Sequence, residues 1–162
     1  MKKVAKFEKI PESEIVNESE EIKLYYKDMS LPKRATYGSC GYDIYSPISF
    51  KLQPGETIQI PSLVRCQISD GWFLMIVPRS GLGFKYKLQL NNTVGIIDSD
   101  YYYAQNYGHI QIKLTNDGTK TLEIKQGEAV CQGIFLQYGV TEDDDDYEKQ
   151  RRVGGFGSTT RI

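Results

Sequence analysis

Apolar side chains recur at every second residue in Tyr42-Asp43-Ile44-Tyr45, Thr57-Ile58-Gln59-Ile60 and Ile110-Gln111-Ile112-Lys113-Leu114. A period of two marks a strand with one buried face, because successive side chains of an extended chain point to opposite sides. Val64 to Ile68, Leu122-Glu123-Ile124 and Val130 to Leu136 are further short strand candidates. Trp72 through Val77 is instead an unbroken apolar run, which predicts a strand covered on both faces. Turn formers separate these runs at Pro54-Gly55, Asp70-Gly71, Asn116-Asp117-Gly118 and Gln126-Gly127. Short strands at this spacing predict an all-β sandwich or barrel. One short helix is expected after Arg79, with Ser80 as its N-cap and Leu82 to Leu88 as its first turns.

The periodicity blurs at both ends. Val4 to Ile10 fits an edge strand and Pro11-Glu12-Ser13-Glu14 a turn, while Glu12 to Lys27 leaves a short helix and a loop both open. Lys33-Arg34 is expected at the surface. Glu142 to Asp146 is a like-charge run, which self-repels and reads as a solvated linker. Consecutive acids cannot all face one ion, so a metal site there is the weaker alternative. Beyond it, the glycines around Phe156 preclude a stable strand or helix interior. They predict a tail, although an aromatic flanked by arginines and hydroxyls also has the chemistry of an arm closing over a phosphate ligand. The chain therefore divides into a β-rich domain, 1–140, and an acidic linker with a flexible Gly-rich C-terminal arm, 141–162.

A length of 162 residues suits one domain with its own core. A net charge of −1 provides no electrostatic footprint for nucleic acid or an anionic membrane. A small anionic ligand remains compatible, since a few arginines in one cleft need no global positive charge. Cys40, Cys66 and Cys131 are widely spaced and lack metal-type pairing, so they read as small buried side chains in a reducing compartment. His109, the one histidine, rules out a His-rich metal site and is expected to be a surface or strand residue rather than a catalyst. The basic N-terminus has no apolar stretch after it, and no run approaches membrane-spanning length. A soluble, cytoplasmic protein is the expectation.

The chemistry concentrates in Gly95-Ile96-Ile97-Asp98-Ser99-Asp100-Tyr101. Two carboxylates one residue apart share a side if the segment is extended. An Asp ending an apolar run, with polar neighbours, suits a general base acting on water; a plain strand ending in an Asp-rich turn fits the same seven residues.

Five stretches in order make the chain resemble the homotrimeric dUTPase family. They are Cys40-Gly41-Tyr42-Asp43-Ile44; Pro78-Arg79-Ser80-Gly81; Asn92 through Tyr101; Gly127-Glu128-Ala129-Val130-Cys131-Gln132; and the Gly-Gly-Phe-Gly-Ser-Thr tail. The resemblance leaves out the segment before residue 35. It implies a jelly-roll-like fold and hydrolysis of dUTP to dUMP and pyrophosphate, which keeps uracil out of DNA and supplies dUMP for dTMP synthesis. Water would attack the α-phosphorus with Mg²⁺ on the triphosphate.

The resemblance also implies roles. Asp98 is the general base, and Asp43 the acid that meets Mg²⁺ through its waters. Arg79, Ser80 and Gly81 contact phosphates, and Gln132 meets an α-phosphate oxygen or a metal-bound water. Asn92, with Gly95 and Ile97 around it, reads the uracil edge, and Tyr101 packs under deoxyribose so that a 2′-hydroxyl has no room. Phe156 stacks on uracil, Gly157, Ser158 and Thr159 meet the γ-phosphate region, and Arg152, on its shorter spacing than Arg151, clamps that phosphate. A homotrimer that shares active sites between chains is implied. The usual short loop after Asp-Tyr is expanded through Tyr102, Tyr103, Asn106, Tyr107 and Gly108, as in forms from low-GC Gram-positive bacteria and their phages. Plain loop variation is the expected reading, and a host-repressor partner is the alternative if the chain is phage-encoded. A dCTP deaminase of the same fold is the alternative enzyme, but the acid/base set it needs beside cytosine has no match here.

Overall fold

The computed structural model describes residues 1–145, 148, 149, 152 and 154. Twelve strands run β1 (Ala5–Lys9), β2 (Lys33–Arg34), β3 (Tyr42–Tyr45), β4 (Phe50–Leu52), β5 (Thr57–Pro61), β6 (Val64–Ile68), β7 (Trp72–Pro78), β8 (Leu88–Leu90), β9 (Gly95–Ile97), β10 (Gln111–Asn116), β11 (Leu122–Ile124) and β12 (Ala129–Gln137). Every strand pair is antiparallel. The largest sheet has the order β2-β3-β12-β7-β9, and β5-β10-β8 faces it across the core, with β4-β11 and β1-β6 as two-stranded ribbons. The architecture is the expected all-β, jelly-roll-like one.

Alternation decides which residues make the core. On β10, Ile112 and Leu114 are buried while Lys113 between them is exposed, as the period of two predicts. Ile44, Ile60, Leu74, Leu122 and Val130 join them at 2 % exposure or less. Asn116 closes β10 as a buried polar residue; its amide donates to the carbonyls of Leu52 and Lys120, each at 2.8 Å. The turns fall where glycine is needed, with Gly55, Gly71 and Gly127 at positive φ.

Several expectations need correction. Among the described residues there are two α-helices, not one. The segment left open between helix and loop contains a 3₁₀ turn, Glu12–Ile15, and α1 (Glu20–Asp28), whose N-cap Ser19 accepts the Ile22 N–H. Ile22 and Tyr26 bury its inner side. In α2 (Ser80–Tyr86) the N-cap is Arg79, extended at φ −65° and ψ 139°, and Ser80 is already helical. Trp72 to Val77 is not covered on both faces: Leu74 and Ile76 are buried, whereas Phe73, Met75 and Val77 are only half-buried. The outward row has no second layer within one chain. Cys66 and Cys131 are buried, and burial pushes both thiols up to about 12, but Cys40 is exposed.

The N-terminal strand is tied to the expanded loop. Glu8 on β1 accepts from Tyr102 Oη at 2.7 Å and Arg65 Nη2 at 3.0 Å, and the Arg65 guanidinium lies 4.3 Å from the Tyr102 ring centroid. Bonds from Lys6 and Tyr102, foremost among the causes, hold the Glu8 carboxyl down at about 2. Tyr102 is thus spent inside the molecule, while Tyr103 and Tyr107 are exposed.

Candidate active site

Three clusters collect the residues singled out by sequence. The first forms where β3, β12 and β7 run side by side. Asp43 pairs with Gln132 across β3–β12, and Gln132 with Val77 across β12–β7. Arg79 leaves the end of β7 and brings Nε to 3.4 Å from Asp43 Oδ1. Gly41 lets the Gln132 amide lie directly on the backbone, since a Cβ there would collide with Gln132 Oε1. Asp43, Arg79 and Gly81 line one cleft of about 520 Å³. Ser80 is exposed, and with Gly81 it opens α2, where first-turn amides lack helical partners.

The second cluster is the mouth between the two facing sheets, under the turn that carries the chain from β8 in one sheet to β9 in the other. Asn92 is exposed at its tip, and the turn is closed by Thr93 N donating to Leu90 O at 2.9 Å with Thr93 at φ +70°. Asn92, Gly95 and Ile97 line a pocket of about 410 Å³, floored by Ile76, Leu90 and Ile112. That volume lies in the range of small-molecule sites, about 300–1,000 Å³. A Cβ on Gly95 would stand 3.2 Å from Ile76 Cβ, so a larger residue would crowd the strand pair.

The third cluster follows directly. Asp98 is extended at φ −76° and ψ 160°, and a 3₁₀ turn, Ser99–Tyr103, starts after it. The segment is not a continuous strand, as sharing a side by alternation would require. The two carboxylates converge all the same, because Arg152 Nη1 reaches Asp98 Oδ2 at 3.0 Å and Asp100 Oδ1 at 3.2 Å. The same guanidinium stands 5.1 Å from the centroid of the Tyr101 ring. Asp98 caps nothing with its side chain and is more than half exposed.

Tyr101 is buried, and its hydroxyl donates to the His109 carbonyl at 2.8 Å. Burial raises its phenol above the ordinary tyrosine value, while the Asn106 bond and Arg152 pull the other way. His109 is not a surface residue: it is 8 % exposed, and its Nε2 accepts the Leu63 N–H at 3.1 Å. Burial lowers the pKa of the ring to about 4, so it is neutral. Asp100, Asn106 and His109 are the residues that sequence reasoning did not assign. The Asp-x-Asp spacing pointed to Asp100, but nothing in the sequence distinguished Asn106 from other loop polar residues. Phe156, Gly157, Ser158 and Thr159 lie outside the described residues.

The first and third clusters stay apart within one chain. Leu74 pairs with Ile97, so continuing the register by one residue sets Asp98 level with Phe73. From Phe73 to Val77, the level of Gln132 and Asp43, is four residues (77 − 73). At 3.3 Å per residue that is about 13 Å along the sheet. Asp98, Gln132 and Asp43 nevertheless share the outer face, with Ile96, Met75 and Ile134 in a row between them.

Among the described residues no three or more His, Cys, Asp or Glu side chains gather as a metal-binding group. Asp43 and Gln132 offer two hard oxygen donors beside a cleft, which suits a hydrated Mg²⁺ bound chiefly by a ligand's own phosphates and not one caged by protein.

Residues 27–160 match the dUTPase family model. The deoxyuridine 5′-triphosphate nucleotidohydrolase of Lactococcus lactis is 38 % identical over 142 residues, covering 86 % of this chain and 95 % of that protein. The corresponding protein of Hahella chejuensis is 39 % identical over 138 residues, with 82 % and 88 % covered. The solved dUTPase of Streptococcus mutans superposes with a TM-score of 0.65 at 31 % identity, over 84 % of this chain and 98 % of that one. The dUTPase of phage phi11 of S. aureus, whose structure describes a structural Mg(II) ion, shares the fold at 20 % identity, with a TM-score of 0.64 over 86 % and 94 %.

Proposed function

We propose that this chain, which belongs to the dUTPase family, hydrolyses dUTP to dUMP and pyrophosphate by water attack directed by Asp98. The observation that carries the assignment of the base is the Asp98 carboxylate, exposed and uncommitted to capping, one residue beyond the pocket that holds Asn92, Gly95 and Ile97. Asp98 accepts a proton from the water as its oxygen bonds to the α-phosphorus. The bond to the bridging oxygen breaks, and pyrophosphate departs. A positioned base of this kind contributes roughly 10²–10⁴ in rate.

Asn92 presents a donor and an acceptor to the uracil edge, and the Tyr101 ring forms the floor for deoxyribose. Arg79 gives a planar fork to phosphate oxygens, with the Ser80 hydroxyl and the Gly81 amide beside it. Gln132 meets an α-phosphate oxygen or a metal-bound water. Arg152, which rests on Asp98, Asp100 and Tyr101, moves to the γ-phosphate when substrate arrives, with Gly157, Ser158 and Thr159 alongside and Phe156 stacked on the base. Bound through the triphosphate, with Asp43 holding its waters, Mg²⁺ would neutralise phosphate charge.

The enzyme acts as a homotrimer with shared sites. Asp98 and the Asp43–Gln132 pair lie about 13 Å apart along the strand direction and two to three strands apart across the sheet, too far for one α-phosphate to meet both. The apolar row Ile96–Met75–Ile134 between them favours coverage by a second copy, which would bring its own cluster to Asp98. Pyrophosphate release measured across dUTP, UTP, dTTP and dCTP, with and without Mg²⁺, tests the assignment. Release from dUTP alone, dependent on Mg²⁺, is expected; ammonia release from dCTP would overturn it.

A further inference from the structure

The expanded loop after Tyr101 folds back onto that residue. Asn106 Nδ2 donates to the Tyr101 hydroxyl at 2.8 Å and reaches the His109 carbonyl at 3.3 Å. The other end of the same amide, Oδ1, accepts the Gly108 N–H at 3.3 Å, and the Asn106 carbonyl accepts the His109 N–H at 3.1 Å. The Tyr101 hydroxyl is thereby held between Asn106 and the carbonyl of His109. That carbonyl is fixed in turn, because the His109 ring is bonded to the Leu63 amide between β5 and β6. Gly108 sits so close beneath that a Cβ would stand 2.8 Å from Tyr102 Cα and 2.9 Å from Tyr101 O. The loop therefore grips the backbone of Tyr101 at one point and the tip of its side chain at another.

We propose that Asn106 is a specificity-positioning residue: by clamping the Tyr101 hydroxyl it immobilises the ring on which the sugar rests and so sharpens rejection of ribonucleotides. The inference rests on the reading of Tyr101 as the sugar platform. Exclusion of a 2′-hydroxyl by sterics requires a wall that does not yield, since a ring shifted by a fraction of an ångström makes room for one oxygen. A second point of attachment at the far end of the ring supplies that stiffness.

The test compares kcat/KM for dUTP and UTP in N106A, Y101F, the double variant and Y101A. The ratio of the two substrates is read within one preparation, so a fraction of unfolded protein cancels. N106A is expected to lower the dUTP preference roughly five- to tenfold, the effect of one neutral hydrogen bond. Y101F also removes the bond to the His109 carbonyl and should lower the preference at least as much, and the double variant should be no worse than Y101F, because the Asn106 contact is already absent in it. If Y101A abolishes the preference while N106A leaves it intact, or if the two single effects add, Asn106 does not act through the hydroxyl and the inference fails. If Y101A itself leaves the preference unchanged, the sugar-platform reading falls and takes this one with it.

Discussion

Asp98 stands where β9 stops and a 3₁₀ turn begins, and that junction leaves its carboxylate with no capping duty. Asp98→Asn keeps the shape but removes the basic oxygen. It should therefore retain dUTP binding in a titration while pyrophosphate release falls roughly 10²–10⁴-fold. His109 carries a separate prediction about stability. Its folded-state pKa of about 4 lies below the 6.5 of an unperturbed imidazole, so the unfolded chain binds the proton first. Stability is accordingly complete above pH 6.5 and lost as pH falls from 6.5 to 4, by at most about 3 kcal/mol. Glu8, with its carboxyl held down at about 2, adds a loss only below about pH 4.5. Urea melts between pH 6.5 and 5 therefore isolate His109, and a His109→Gln variant should show a flatter slope there.

The loop from Ala104 to His109 bends through Tyr107 at φ +57° and Gly108 at φ +71°. Gly108→Ala adds a Cβ against the backbone of Tyr101 and Tyr102 and forces a left-handed conformation on a residue that resists it. A loss of about 1–3 kcal/mol in a denaturant melt is expected. This element also shows where sequence reasoning stopped. The alternating strands and their Gly and Pro turns were legible because burial on one face imposes a period of two, and β10 follows it residue by residue. The Gly95-to-Tyr101 stretch was legible because two carboxylates end an apolar run, whereas Asn92 was reached only through the family resemblance. The loop was not, since Asn106 and His109 matter through contacts to Tyr101 and Leu63 that no local spacing encodes. The cap of α2 was misplaced by one residue for a related reason: Arg79 takes the extended conformation at the end of β7, so the helix starts on Ser80 itself. Trp72 to Val77 misled as well. Its hydrophobicity reports an outer face that a single chain does not cover.

At the scale of the whole molecule, the sheet β2-β3-β12-β7-β9 places Asp98 and the Asp43–Gln132 pair on one face, separated along β7 by about 13 Å. The proposed sharing of sites between copies is tested by complementation. Chains carrying Asp98→Asn and chains carrying Arg79→Ala should each be nearly inactive, but unfolding and refolding equal amounts together should restore about a quarter of the wild-type rate, because in a closed cyclic oligomer one site in four draws both intact groups. No recovery on mixing would place the whole site within one chain. The uncovered row Ile96–Met75–Ile134 has a kinetic corollary. Dilution should silence the enzyme long before it unfolds, with turnover per chain collapsing below the concentration at which copies part. The lost rate should return on adding Asp98→Asn subunits, which cannot cleave dUTP themselves but lend their intact phosphate-binding ends to stranded neighbours.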